Sequence, residues 1–161
     1  MKRKILNPFV ELKGELYNCF ACSPHNDHGL RLEFWEEGEE LTCEWEPERT
    51  FEGYHGVVHG GLQATLMDEI AAWTVYVKCG TAGVTTGMEI KYKKPLSSIN
   101  GKVKLVAKVA EQTTRLAKVN VKLYNSDGVF ATESVVSYFL FPVEKAQNEF
   151  KYPGVEAFFE K

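Results

Sequence analysis

A histidine, two consecutive glycines and a carboxylate stand on one short stretch, His59-Gly60-Gly61-Leu62-Gln63-Ala64-Thr65-Leu66-Met67-Asp68-Glu69. Glycines at the start of a helix leave backbone N–H groups unscreened by side chains at the positive end of the helix dipole, where a developing oxyanion can be held. Asp68 follows two turns later, with Ala64, Ala72 and Val75 as its helical neighbours at i−4, i+4 and i+7. A carboxylate on a face of small apolar side chains must be paired, hydrogen-bonded or functional, because an unpaired buried charge is costly. The plain alternative is that Asp68 reaches solvent or a nearby hydroxyl. Oxyanion donors together with a general base or nucleophile meet the requirements of acyl-group hydrolysis. His59 is a rival base, although a His at a helix start more often orients backbone. Glu69 points about 100° away from Asp68 around the helix and is the weaker carboxylate candidate.

A second group of chemistry-bearing residues is Cys19-Phe20-Ala21-Cys22-Ser23-Pro24-His25-Asn26-Asp27-His28. C-x2-C-x2-H-x2-H carries the ligand types of a zinc site. Four ligands inside ten residues, with Pro24 between the pairs, are more compact than the usual two-pair arrangement. The expectation is therefore a tight turn rich in Asx residues and no metal. No βαβ pattern surrounds the pair to support a redox Cys-x-x-Cys. Cys43 and Cys79 have no paired His in sequence and are expected to pack.

The helix that must carry His59 to Asp68 is legible over residues 59–78. Leu62, Leu66, Ile70, Trp73 and Val77 form one apolar row, and Ala64, Met67, Ala71 and Val75 a second beside it. A helix apolar over more than half its circumference is expected to be enclosed by other structure. Strands flank it. Leu30–Trp35 and Leu41–Glu46 alternate around Glu37-Gly38-Glu39 as a hairpin, and Phe51–Val58 is a glycine-rich approach to the helix. After a loop at residues 80–83, strands are predicted at 84–92, 101–111, 116–124 and 129–141. Asn125-Ser126-Asp127-Gly128 marks a tight hairpin between the last two. Residues 2–18 read as a short helix or arm interrupted by Pro8, and residues 143–161 as a closing helix or tail. The order β-β-α-β-β-β-β implies an α+β domain, an antiparallel sheet wrapped around one long helix. Residues 1–28 would be an arm, 29–142 the core and 143–161 the tail of a single domain.

A chain of 161 residues with 44% hydrophobic and 25% charged residues has the composition of an ordinary soluble globular domain. A net charge of −3 supplies no general attraction to nucleic acid or membranes. No apolar run approaches a membrane span and the first residues lack the apolar stretch of a signal peptide, so a cytoplasmic protein with reduced cysteines is expected. The charges are segregated. Nine Glu and one Arg lie between Glu33 and Glu52, and nine Lys or Arg and one Glu between Lys91 and Lys122. Either these are solvated strand faces, salt-linked to each other, or the second is a basic rim for an anionic ligand.

The sequence resembles the hotdog-fold thioesterases of the PaaI type. The resemblance runs over residues 19–142 and is carried by Cys19-Phe20-x-Cys22, His28-Gly29-Leu30, Phe51-x-Gly53-Tyr54-x-Gly56-x-Val58-His59-Gly60-Gly61, Leu66-x-Asp68-Glu69 and Tyr92-x-x-Pro95. It implies hydrolysis of acyl-coenzyme A thioesters by a dimer or dimer of dimers, with sites shared across the subunit interface and no cofactor beyond the coenzyme A of the substrate. By this resemblance Asp68 is the base or nucleophile, the Gly60 N–H polarises the thioester carbonyl with Gly61 beside it, and His59 shapes the turn. A Ser or Thr on the third strand of the partner subunit usually assists; Thr85 matches that place, with Thr86 next to it. Relatives carry Asn or Gln where this chain has Gly53, and His55 is the nearest polar substitute. Lys91, Lys93, Lys94 and Arg115 are candidate phosphate contacts, and Trp73, Tyr76 and Tyr54 candidate walls of an acyl pocket. Two other functions use the same architecture: a non-catalytic acyl-CoA-binding protein and an acyl-thioester dehydratase or hydratase. The latter needs a further His beyond the helix, whereas all four His lie at or before residue 59.

Overall fold

The computed structural model describes all residues, 1–161. Seven strands form one antiparallel sheet: β1 (Lys2–Ile5), β2 (Phe34–Glu37), β3 (Glu40–Trp45), β4 (Gly83–Tyr92), β5 (Val103–Gln112), β6 (Leu116–Tyr124) and β7 (Phe130–Leu140). Their spatial order is β1-β2-β3-β5-β6-β7-β4, so the strand that directly follows the long helix closes the far edge. That helix, α2 (Gly60–Thr74), packs against β3, β4, β5, β6 and β7. Leu66, Met67, Ile70, Ala71 and Trp73 on it are all buried, the consequence of its two apolar rows. Its last predicted turn is a π-helix, Val75–Cys79, closed by Gly80 in the left-handed conformation, which only a residue without Cβ adopts freely. No helix is long and apolar enough to cross a membrane.

The N-terminal arm differs from its expected form. Residues 2–5 are a strand, with Ile5 opposite Phe34, and the helical part is Phe9–Lys13 (α1) followed by a 3-10 turn at Gly14–Leu16. The hairpin strand predicted from Leu30 begins at Phe34 instead. Arg31 takes φ +52°, and the backbone N–H groups of Leu30 and Leu32 bond to Phe20 and Ala21 rather than to a neighbouring strand. Their side chains still point inward, which is why the alternation is present. Arm and tail also contribute to the core. Phe9, Trp73, Tyr76 and Phe158 pack as one aromatic cluster, and 36 buried apolar residues from all parts of the chain form a single assembly. The segregated charges meet by register: Glu40 stands opposite Lys108 and Glu44 opposite Lys104 across β3 and β5.

One polar bridge holds the helix to the sheet. Gln63, buried on α2, donates to the Val58 carbonyl (3.1 Å) and accepts from the Thr132 hydroxyl of β7 (2.6 Å). Gln63→Leu is expected to destabilise the protein by about 1–3 kcal/mol for each polar group left unpaired. Adding Thr132→Val should recover part of that loss, as both partners are then apolar. Denaturant melts of the two variants check it; equal stabilities for the single and double variants would show that the bridge is not the cause.

Candidate active site

The turn into α2 is made by His59. Its backbone is the N-cap, and its Nδ1 accepts the Gly61 N–H at 2.9 Å, which satisfies one of the orphan donors of the first helical turn. A Cβ on Gly61 would lie 3.1 Å from that nitrogen and would crowd the capping ring. The two glycines are therefore not equivalent. The Gly61 N–H is occupied by the His59 ring, whereas the Gly60 N–H has no intramolecular acceptor. Tyr92, at the end of β4, donates to the Gly60 carbonyl at 2.7 Å, and its ring lies 3.4 Å from where a Gly60 Cβ would be. This is the structural basis of the Tyr92-x-x-Pro95 marker. A groove of about 340 Å³ beside this turn is lined by Gly53, Tyr54, Val57, Val58, His59 and Gly60.

Asp68 is only partly buried, and its Oδ1 is held by two hydroxyls: Thr85 of β4 at 2.9 Å and Tyr138 of β7 at 2.6 Å. The Tyr138 hydroxyl is shared with the Asp68 main-chain carbonyl, 2.8 Å away. Oδ2 has no hydrogen-bond partner in the chain and is the oxygen available to a substrate or water. Burial first, and then the Asp68 charge, push the Tyr138 phenol upward, which keeps it a donor. Thr85 reaches Asp68 within one chain, not from a partner subunit. It does so because β4 and β7 shift register between Thr85 and Gly87. Thr86 is the extra residue of this bulge, and its hydroxyl turns to the Ser137 carbonyl, 3.2 Å away, instead of to the carboxylate.

Glu69 is in a different environment. It accepts from Trp73 Nε1 at 3.1 Å and lies 3.7 Å from Cys19 Sγ, away from the residues that hold Asp68. Burial, with the Cys19 charge second, raises its carboxyl to about 7. Cys43 and Cys79 behave as packing residues; burial pushes their thiols up to about 12 and about 11.

Gly60 and Asp68 of one chain do not meet. Eight helical residues separate them by about 12 Å along the axis and about 80° around it, too far for both to act on one carbonyl carbon. Neither do the basic candidates form one cradle. Arg115 lies beside Leu140 at the Gly83 end of β4, and Lys91 is eight residues, about 26 Å, along that strand. Lys93 is beyond the end of β4 and pairs with Glu133 at 3.3 Å. His55 and Gly53 are exposed on the approach loop, and Gly53 packs its backbone against the His59 ring. Of the aromatic candidates, Trp73 belongs to the core and Tyr76 stacks on Tyr152 and Phe158; only Tyr54 lines the groove. A concavity of about 1230 Å³ is on the sheet around Lys104, Lys108 and Lys122 and contains no residue of the helix. The residue that sequence reasoning missed is Tyr138. Its only signal is a phenol on the inward-facing row of β7, among Thr132, Ser134 and Val136.

Comparison with known proteins agrees with this architecture. The family model described as thioesterase superfamily matches residues 55–132. Mouse acyl-coenzyme A thioesterase 13 is 36% identical over 90 residues, covering 54% of this chain; the match spans 62% of that relative's length. Among solved structures, zebrafish thioesterase superfamily member 2 superposes with a TM-score of 0.66 at 26% identity, over 82% of this chain and 98% of that one. The Escherichia coli PaaI protein superposes with a TM-score of 0.62 at 16% identity, over 71% of this chain and 82% of that one. With the His-Gly-Gly turn and Asp68 carried on the helix that the sheet enwraps, this chain has the hotdog fold, and its residues 55–132 are similar to the thioesterase superfamily.

Proposed function

We infer that the protein hydrolyses acyl-coenzyme A thioesters to the free acid and coenzyme A. The observation that carries this reading is the state of Asp68: one carboxylate oxygen fixed by two hydroxyls, the other unpartnered, on the same helix as a free N–H at Gly60. Asp68 Oδ2 would take a proton from the attacking water, or attack the carbonyl carbon itself, while the Gly60 N–H donates to the carbonyl oxygen on which negative charge forms. Collapse of the tetrahedral intermediate then expels the coenzyme A thiolate; where Asp68 itself has attacked, water then hydrolyses the acyl–Asp68 anhydride to free the acid and the carboxylate. Because the two groups of one chain are about 12 Å apart, each site would combine Gly60 of one subunit with Asp68 and Thr85 of another. The exposed edge strand β4, with Val84 and Tyr92 about half uncovered, supports a homodimer or a dimer of dimers. Acyl-coenzyme A as substrate follows the name of the mouse relative, and a small, medium or aryl acyl group is the class a groove of this size accepts. Lys91 and Lys93 at one end of β4 and Arg115 at the other would then meet coenzyme phosphates separately. A cytoplasmic location fits the sequence expectation.

A second reading, an acyl-CoA-binding protein without turnover, is favoured by one observation. Gly53 presents no polar side chain beside His59, and His55 is exposed to solvent. Free-thiol release from a panel of acyl-coenzyme A esters decides between them. Turnover of some member supports the hydrolase; tight binding of the panel with no thiol release replaces it by the binding protein.

Tyr138→Phe removes the shorter of the two anchors of Asp68. A hydrogen bond to a charged group is worth about 1.5–3 kcal/mol, so kcat is expected to fall about ten- to a hundredfold. KM should remain unchanged, because the phenol touches the carboxylate and not the substrate. A rise in KM with kcat intact would place Tyr138 in substrate binding instead.

A further inference from the structure

The Cys19-x-x-Cys22 turn is not used by the hydrolytic site, yet the fold brings it against the central helix. Cys19 Sγ, Cys22 Sγ and a Glu69 carboxylate oxygen all lie within 4.8 Å of one another. We propose that these three side chains form a zinc site that clamps the N-terminal segment to α2, with a water completing the tetrahedron. The dimensions fit. Zinc–sulfur and zinc–oxygen bonds of about 2.3 and about 2.0 Å at tetrahedral angles place sulfur and oxygen about 3.5 Å apart, and Cys19 Sγ stands 3.7 Å from Glu69 Oε1.

The surroundings are those of ligands already oriented. The Ser23 N–H bonds the Cys19 carbonyl at 2.9 Å, which closes the turn that carries both cysteines. The Tyr17 hydroxyl, which accepts from Asn7 Nδ2 at 3.1 Å, has its own proton free for Cys22 Sγ at 2.9 Å. Trp73 Nε1 orients the Glu69 carboxylate. Cys22 and Glu69 thus each have an outer-shell donor. The loop is also pre-formed: a Cβ on Gly29 would lie 2.7 Å from the Phe20 carbonyl that receives the Leu30 N–H. Glu69 makes no ion pair, and the Lys13 ammonium is held over the Phe9 and Tyr17 rings. A divalent cation supplies the missing positive charge, the two thiols releasing their protons on binding. His25 and His28, which the spacing in sequence would have paired with the cysteines, are outside the cluster; His28 is exposed.

The test uses the full-length chain, reduced, stripped with a strong chelator and titrated with Zn²⁺ against a chromogenic indicator. One equivalent bound with sub-micromolar affinity is expected, with protection of Cys19 and Cys22 but not Cys79 from alkylation. Co²⁺ in its place should give a thiolate-to-metal charge-transfer band. Cys19→Ser and, independently, Glu69→Gln should each weaken binding by at least about a hundredfold, whereas the double substitution of His25 and His28 by Ala should leave it unchanged. Absence of saturable binding by the wild-type chain overturns the proposal. So does zinc uptake that survives both Cys19→Ser and Glu69→Gln, or that disappears with the histidines.

Discussion

Asp68→Asn is expected to lower kcat for thioester hydrolysis by about 10²–10⁴-fold, with substrate binding nearly unchanged. The substitution is isosteric. The amide oxygen still accepts from Thr85 and Tyr138, so the side chain keeps its position while the free atom changes from an oxygen that accepts a proton to an NH₂ that cannot. Glu69 is no substitute: its carboxylate is bonded to Trp73 on another side of the helix. Single-turnover thiol release at saturating substrate measures the effect. Full activity in the variant would remove Asp68 from the chemistry, and with it the mechanism given above.

Gly60→Pro should lower kcat by about 10²–10³-fold, the usual effect of losing one oxyanion donor. Gly60 is the first helical residue and its N–H bonds to nothing in the chain, so proline there removes the donor without removing a structural hydrogen bond. His59, at φ −55° and ψ +135°, already has the conformation favoured before a proline. Gly60→Ala is the control, because it adds the same Cβ against Tyr92 but keeps the N–H. Comparable losses in both variants would implicate packing rather than the donor. The two inactive proteins also test the shared site. Unfolded and refolded together in equal amounts, Gly60→Pro and Asp68→Asn chains should regain about one quarter of wild-type activity, since half of the dimers are mixed and each mixed dimer has one intact site. No recovery, with mixed dimers demonstrated, would mean that both groups act within one chain.

The contrast between Asp68 and Glu69 shows why part of the site was legible and part was not. Adjacent in sequence, they lie about 100° apart around the helix, and the spacing of their apolar neighbours identifies Asp68 as the one out of place. That spacing does not reveal what each meets. Tyr138 is 70 residues from Asp68 and Cys19 is 50 residues from Glu69. Thr85 was found because the resemblance marked it, but its place in the same chain as Asp68, and the turning away of Thr86, follow from a one-residue bulge with no signature in composition.

By itself the sequence determined the elements with a period of their own: the helix apolar over more than half its circumference, the alternating strands, the Asp-Gly hairpin, and the glycine pair beside a capping His. Local sterics and hydrogen bonding decide these within a few residues. The tertiary structure alone decided which strands are neighbours, that residues 2–5 pair with β2, that only Gly60 keeps a free N–H, and that two cysteines of the arm face a helix carboxylate. Those contacts depend on strand order and register, which are fixed by how the whole apolar surface is buried at once, and no local repeat in the chain records them.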